Sequence, residues 1–492
     1  MSPEANPVAA FFATLEAHAW ETLRPALVGS RETWSYARLL QELKARAVWL
    51  REHGVQRLAL DLPNGPELLG WDLAALHVGI PCVLLPDFFS AEQRAHVLRD
   101  SDADFLLGRA ERSAEWTAAG FTEADGAWRR PIAESIPLPA RTAKLTYTSG
   151  TTGTPKGVCL RAAALLRVAT NLEGASRPLA PRRHQVLLSL GILLENLGVY
   201  AALLAGAEVL VLDDADQGIT GSTSIDWARL AGCLQQRQPH SLILMPQLLQ
   251  GLVELGERGL LRLDELSFAA VGGAPLSEAL QTRAAALDLP VFQGYGLSEC
   301  ASVVALNRPD ANRPGSVGQP LPHVRLRLAA DGEVLVGGVD FAGYLGEPGS
   351  ASDEVATGDL GEFDADGYLY LRGRKKHQFS LASGRNVDPG WIEAELTQGG
   401  PIAQAYVQGE GARHLVALLW PRQPDLPDSF LADQVACLNR RLPDYARIGA
   451  WQRLAAPFTP ANGLLTATGR LRRDAIQAQY AALLSDLLEV YP

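Results

Sequence analysis

The side chains best placed to do chemistry lie in one run, LTYTSGTTGTPKGV at residues 145–158. Thr148, Ser149, Gly150, Thr151, Thr152 and Gly153 are small, and they lead to a single cation, Lys156. Such a run can fold so that backbone N–H groups and hydroxyls converge on an anion, with the lysine adding a full charge. Glycine serves there because it lets the backbone approach phosphate oxygens and adopt positive φ. A solvated Ser/Thr/Gly linker, the plainer reading, has no reason to close on Pro155, Lys156 and Gly157. A Walker-type loop needs G-x-x-x-x-G-K-[ST] opening into a helix. Here Pro155 precedes the lysine and Gly157 follows it, so no hydroxyl is placed for a metal and no helix starts.

Further candidates recur downstream. Gly272, Gly273, Ala274 and Pro275 follow an apolar strand at 266–271. Open α/β sheets bind ligands at such strand ends, and the glycines leave room for a flat ring. Tyr295, flanked by Gly294 and Gly296, offers an aromatic face for stacking a base. Glu299 stands beside the Ser298 hydroxyl. Near a phosphate loop it is a natural magnesium ligand, because Mg²⁺ is usually held by one or two carboxylates plus phosphate oxygens. Asp359, in a Thr-Gly-Asp turn, can accept both hydroxyls of a ribose, as an acidic residue does in dinucleotide folds. Arg374 can donate to ribose or phosphate oxygens as a fixed fork. Singly, each is an ordinary turn or surface residue; their order along one chain is what points to a nucleotide.

The elements that must position these residues alternate. Residues 36–54 carry Leu39, Leu40, Leu43, Ala47 and Leu50 at helical spacing and stop at Gly54. A strand at 57–62, a turn at 63–66, a helix at 67–78 and a strand at 82–85 follow. Strands at 185–190, 207–212, 241–245 and 291–294, with a helix at 194–204, continue the pattern and predict parallel α/β layers. Residues 324–344 are short, alternating and turn-rich, which predicts a small antiparallel sheet or barrel. A basic knot at 372–377 marks a boundary between an N-terminal domain, 1–375, and a C-terminal domain, 376–492. The latter has its own helix (391–396), strands (405–408 and 414–420) and helices from 430, enough for a small α+β lobe.

At 492 residues the chain exceeds one hydrophobic core, in keeping with two domains. A net charge of −11 with dispersed acidic residues leaves no basic face for nucleic acid. Cys82, Cys159, Cys233, Cys300 and Cys437 are far apart and form no C-x-x-C pair. Neither a zinc site nor a disulfide framework is suggested, and a reduced, cytoplasmic setting is expected. Residues 1–7 lack a basic segment followed by an apolar one, so no secretory signal is read. The most apolar stretch, 186–212, is interrupted by Glu195, Asn196 and Glu208. A membrane span needs about twenty nearly uncharged residues, so a buried strand–helix–strand is expected instead.

The run at 147–158, followed in order by the motifs around Gly272, Tyr295, Asp359 and Arg374, resembles the AMP-forming adenylating enzymes: acyl-CoA synthetases, peptide-synthetase adenylation domains and luciferases. The resemblance covers most of the chain. It implies a large N-terminal domain of layered α/β subdomains with a small antiparallel barrel-like part, then a small mobile α+β domain. It also implies that Tyr295 packs on adenine, Ser298 touches the α-phosphate, Glu299 binds Mg²⁺ and Lys376 is the hinge of the mobile domain. The later sequence looks most like fatty acyl-CoA synthetases, at Gly384, Arg385, Asn386 and Val387 and again at residues 462–466. The implied reaction is ATP-dependent activation of an apolar carboxylic acid to an acyl-adenylate, then transfer to coenzyme A. A carrier-protein phosphopantetheine and an amine are the alternative acceptors. Two departures stand out. Arg470 occupies the position of the family's C-terminal lysine, and guanidinium is not equivalent to a point-charge clamp; a catalytically impaired nucleotide-binding relative is therefore a rival reading. Residues 190–192 lack the histidine or aromatic residue that many relatives place at the pocket mouth.

Overall fold

The computed structural model describes residues 6–20, 23–124, 126–131, 136–148, 156–219, 225–347, 350–466 and 469–489. Two sheets dominate the large domain. One has seven strands, with Phe105–Gly108, Leu58–Asp61, Cys82–Leu84 and Thr142–Thr148 running parallel and Lys156–Arg161 returning antiparallel at the edge. The other has nine, with Val291–Tyr295, Phe268–Val271, Ser241–Leu244, Arg183–Gln185 and Glu208–Leu210 parallel through its centre.

Strands covered on both faces are expected to be apolar on both, and Leu58–Asp61 shows this over its first three residues, whereas Arg183–Gln185 buries His184 and Gln185 instead. In Leu58–Asp61, Leu58 and Leu60 join the core shared by the two sheets, while Ala59 points into a separate cluster on the outer face. Helices Tyr36–Glu52, Pro66–Val78, Ala162–Ser176 and Leu193–Leu204 contribute to the shared core. Helices Trp227–Arg237, Pro246–Glu257 and Glu278–Ala285 cover the other face of the nine-stranded sheet.

One expected strand is displaced. Residues 185–190 were to continue a ladder, but the paired strand is Arg183–Gln185, and the chain then leaves it. Side chains take over the backbone groups. Asn64 accepts from Leu190 N–H at 3.0 Å and donates to the Leu188 carbonyl at 3.0 Å, and Glu195 accepts from Leu188 N–H at 3.1 Å. Buried backbone groups need partners, and these partners are not strands.

The antiparallel region is larger than its sequence pattern indicated. Arg325–Leu328, Glu333–Phe341, Ser352–Phe363 and Leu369–Arg374 form a four-stranded sheet. The small domain begins with the paired strands Phe379–Ser380 and Asn386–Val387 and centres on the sheet Ile402–Gln408, Leu415–Pro421 and Ile448–Arg453. Alternation along Leu415–Pro421 sends Leu415, Ala417 and Leu419 to one core and Val416 and Leu418 to another. Among the described residues no helix is long and apolar enough to cross a membrane.

Candidate active site

The candidate residues meet around one cavity of about 1760 Å³ between the two domains. Lys156, Gly272, Gly273, Ala274, Pro275, Tyr295, Gly296, Ser298, Glu299, Asp359 and Arg374 line it from the large domain, Lys376 from the connection, and Arg470 from the small domain. Ser149, Gly150, Thr151, Thr152 and Gly153, with the side chain of Thr148, lie outside the described residues.

Local geometry explains the glycines. Gly296 follows the strand Val291–Tyr295, and a Cβ there would fall 1.5 Å from the Ser302 carbonyl oxygen. Only glycine permits that turn, which delivers Ser298 and Glu299 to the cavity on the short helical turn Ser298–Cys300. Gly273 sits at φ +82°, where side chains are strained.

On one wall, ladder register sets the chemistry. Asp359 of Ser352–Phe363 lies opposite Arg374 of Leu369–Arg374, and its Oδ1 is 2.8 Å from Arg374 Nε. Asp359 Oδ2 accepts from the Tyr295 hydroxyl at 2.6 Å, and Arg374 Nη1 donates to the Thr357 carbonyl at 2.9 Å. Burial pushes the Asp359 carboxyl up, while Arg374, Tyr295 and Arg470 draw it down. The Tyr295 hydroxyl is pushed well up by burial first and then by the Asp359 charge, which keeps it a donor. The result is a fixed acceptor beside an aromatic ring.

A second bonded group in the lining carries the phosphate candidates. Lys156 opens the strand Lys156–Arg161; its Nζ lies 3.0 Å from Glu347 Oε1 and 5.4 Å from the centre of the Tyr344 ring. Tyr344 donates its hydroxyl to Glu299 Oε1 at 2.7 Å. Burial, then its bond to Glu299, raises the Tyr344 hydroxyl, so it too stays protonated. The Lys156–Glu347 pair is open to solvent, 55% and 49% exposed. Such pairs contribute little, and a phosphate can replace Glu347 at small cost. Glu299 suits a magnesium ion completed by phosphate oxygens and water. Among the described residues no cluster of three or more acidic, His or Cys side chains offers a metal cage.

Arg470 crosses the domain gap. Its loop is closed by Thr466 N–H to the Arg470 carbonyl at 2.7 Å and Arg470 N–H to Thr466 Oγ1 at 3.0 Å. Arg470 Nη2 then donates to the Gly273 carbonyl at 2.9 Å. Partial desolvation in the cleft and then the nearby Arg374 lower its affinity for protons, Asp359 opposes them, and the residue still keeps an exposed face. Lys376 is lowered by burial and then by Arg374, with Asp474 opposing. His377, pushed down to about 4 by burial and by Arg473, is neutral at physiological pH.

Beyond these groups the lining is mainly apolar, with Leu188, Ile192, Leu194, Ala201, Ala202 and Phe268, but it includes the bonded pair His184 and Ser241. Several contributors carried no usable sequence signal. Tyr344 and Glu347, neighbours of Glu299 and Lys156, lie in a turn-rich stretch. Lys144 sits inside the strand Thr142–Thr148, and its buried Nζ contacts Asp72 Oδ1 at 2.8 Å, Asn196 Oδ1 at 2.5 Å and the Tyr200 hydroxyl at 3.2 Å. This network ties the strand Thr142–Thr148 to helices Pro66–Val78 and Leu193–Leu204. A lysine among buried residues was the one hint available.

Residues 16–347 match the family model described as AMP-binding enzyme, and residues 376–490 match the AMP-binding enzyme C-terminal domain. The chain is 28% identical to the long-chain-fatty-acid–CoA ligase FadD15 of Mycobacterium bovis over 565 aligned positions, covering 92% of each. It is 25% identical to the 3-hydroxybenzoate–CoA ligase of Aromatoleum sp., covering 84% of this chain and 86% of that one. Its fold superposes on the anthranilate CoA ligase AuaEII in complex with anthranoyl-AMP, with TM-score 0.80, 18% identity and 98% of both chains covered. The amide bond synthetase McbA from Marinactinospora thermotolerans gives TM-score 0.75 at 21% identity, covering 96% of this chain and all of that one.

Proposed function

Because the chain belongs to the AMP-binding enzymes, we propose that it activates an apolar, fatty-type carboxylic acid with ATP and passes the acyl group to coenzyme A. The observation that carries this reading is convergence from both domains. Tyr295, Asp359 and Arg374 form one bonded unit, and they line the same cavity as Lys156, Glu299 and the Arg470 that arrives from the small domain.

In the first step a carboxylate oxygen attacks the α-phosphorus. The bond to the bridging oxygen breaks, and pyrophosphate leaves with the electron pair. Tyr295 and residues 272–275 receive the adenine, Asp359 accepts from the ribose hydroxyls and Arg374 stands beside it as a donor. Ser298 meets the α-phosphate, Lys156 the phosphate chain, and Arg470 the carboxylate and α-phosphate together. Glu299 would hold Mg²⁺, which supplies charge neutralisation at the phosphates. Catalysis on this reading is positioning and charge compensation by fixed groups.

In the second step a thiolate attacks the acyl carbon and AMP departs, after the small domain has turned about Lys376. The domains meet at residues 375–376 on this reading. The mainly apolar far side of the cavity supports a hydrocarbon acyl group over a polar one.

Pyrophosphate release across a panel of carboxylates tests the first step, with medium- and long-chain fatty acids expected to respond and short polar acids not. Adding coenzyme A, a carrier-protein phosphopantetheine or amines one at a time identifies the acceptor. Silence from every carboxylate would favour the impaired nucleotide-binding relative.

A further inference from the structure

Backbone groups around the candidate adenine loop take their hydrogen-bond partners from the other domain. Arg470 holds the Gly273 carbonyl at 2.9 Å. The Gln398 side chain donates Nε2 to the Pro275 carbonyl at 2.8 Å and accepts from Ser277 N–H through Oε1 at 2.8 Å. Glu395 Oε1 accepts from Glu278 N–H at 3.2 Å. Ser277 and Glu278 open the helix Glu278–Ala285, whose first N–H groups have no partner within the helix. Ser277 serves one of them, Leu280 N–H, with its own hydroxyl at 3.1 Å; the small domain serves the others named here.

The arrangement is reciprocal. Gln398 ends the small-domain helix Pro389–Thr397, whose last carbonyls are likewise orphaned. Arg283 of the large domain donates to the Gln398 carbonyl at 3.2 Å and Gln250 to the Thr397 carbonyl at 3.3 Å. Each domain thus caps a helix of the other. A side-chain amide bonded to a carbonyl and an N–H two residues apart imitates a strand, and it fixes the intervening backbone.

We propose that Gln398 and Glu395 are positioning residues that hold residues 273–278 in nucleotide-receiving form only while the small domain is docked as seen here. The inference rests on the reading of residues 272–275 as the adenine loop. Its consequence is a coupling between domain docking and ATP affinity, which linkage makes mutual: bound ATP favours docking as much as docking favours ATP. When the small domain turns away, the Pro275 carbonyl and the Ser277 and Glu278 N–H groups lose their partners together. The loop relaxes, and its hold on AMP weakens at the stage when AMP must leave.

Gln398→Ala and Gln398→Glu in the full chain test this. Glutamate keeps the acceptor for Ser277 N–H but loses the donor to Pro275 and sets a charge against its carbonyl. Both variants should raise the KM for ATP at least fivefold, about the worth of one hydrogen bond, while the KM for the carboxylate moves less than twofold. In Gln398→Ala, amide exchange at Ser277, with a non-hydrolysable ATP analogue bound, should accelerate at least fivefold. Exchange that accelerates while the ATP KM stays put in an active enzyme would overturn the positioning role, and no change in either would overturn the cap itself. If the wild-type chain activates no carboxylate, the proposed reaction fails, and calorimetric affinity for the analogue then replaces KM in deciding the inference.

Discussion

Arg470 reaches from the small domain into the cavity, and its contacts set what changing it should do. Its Nη2 is committed to the Gly273 carbonyl at 2.9 Å, which leaves the rest of the fork for the carboxylate and α-phosphate of the proposed reaction. Charge-assisted hydrogen bonds contribute about 1.5–3 kcal/mol each. Losing two of them should slow adenylation about 100-fold or more, so Arg470→Ala is expected to lose nearly all pyrophosphate release. Arg470→Lys keeps the charge and gives up the fork; its adenylation should stay within about tenfold of wild type or exceed it.

The pH profile separates charge from shape. Partial desolvation and Arg374 lower the proton affinity at this position, and a lysine there begins from about 10.4 where arginine begins above 12. Arg470→Lys should therefore lose activity on the alkaline side, as the lowered ammonium deprotonates, at pH values where the wild-type rate is flat. Thioester formation from pre-made acyl-adenylate should hardly respond to either change, because the small domain would have turned away. Wild-type pyrophosphate release by Arg470→Ala would refute the assignment and leave Lys156 as the principal cation at the phosphates.

Lys156→Ala and Glu299→Ala should each slow pyrophosphate release at least tenfold, about 1.4 kcal/mol, with unchanged thermal unfolding; an unaffected rate in either would remove that group from the site. Lys376 lies in a turn where His377 N–H donates to the Arg374 carbonyl at 2.9 Å, and Lys376→Pro restricts φ there. It should impair thioester formation at least tenfold more than adenylation, and equal losses would count against a hinge at this residue. Glu393 is buried, and burial raises its carboxyl from the ordinary 4.5 to about 7, against the pull of Arg473. A carboxyl whose folded value is raised binds its proton more tightly when folded, so its contribution is present below pH 4.5 and is lost as pH rises to 7. The loss amounts to about 3 kcal/mol at most. Small-domain melting followed from pH 5 to 8 should fall in the wild type and flatten in Glu393→Gln; parallel slopes would exclude Glu393 as the source.

Local patterns made much of this legible. The alternation of strands and helices and the family-ordered motifs around Gly272, Tyr295, Glu299, Asp359 and Arg374 depend on neighbours in sequence, and the fold brings these residues to one cavity. What could not be read depends on distant pairs. Lys144 is tolerable inside its strand only because Asp72 lies within 2.8 Å. Residues 187–190 leave the ladder, with Asn64 and Glu195 taking its place at Leu188 and Leu190, and Gln398 gains meaning only against Pro275. No periodicity announces such partners.

The connectivity around Asp359 also bears on the order of events. Asp359 and Arg374 share one ladder, and Arg374 is the last residue of its strand, immediately before the connection to the small domain. Tyr295, bonded to Asp359, belongs to the nine-stranded sheet. A turn of the small domain about Lys376 would therefore leave Tyr295 and Asp359 in place while withdrawing Arg470, Gln398 and Glu395. Tyr295 and Asp359 would persist through both half-reactions, whereas residues 272–275 would loosen once unbraced, and Arg470, Gln398 and Glu395 would act in the first alone. An acyl-adenylate held by its nucleotide end, with its acyl end released from Arg470, is then presented to the incoming thiol without having to dissociate.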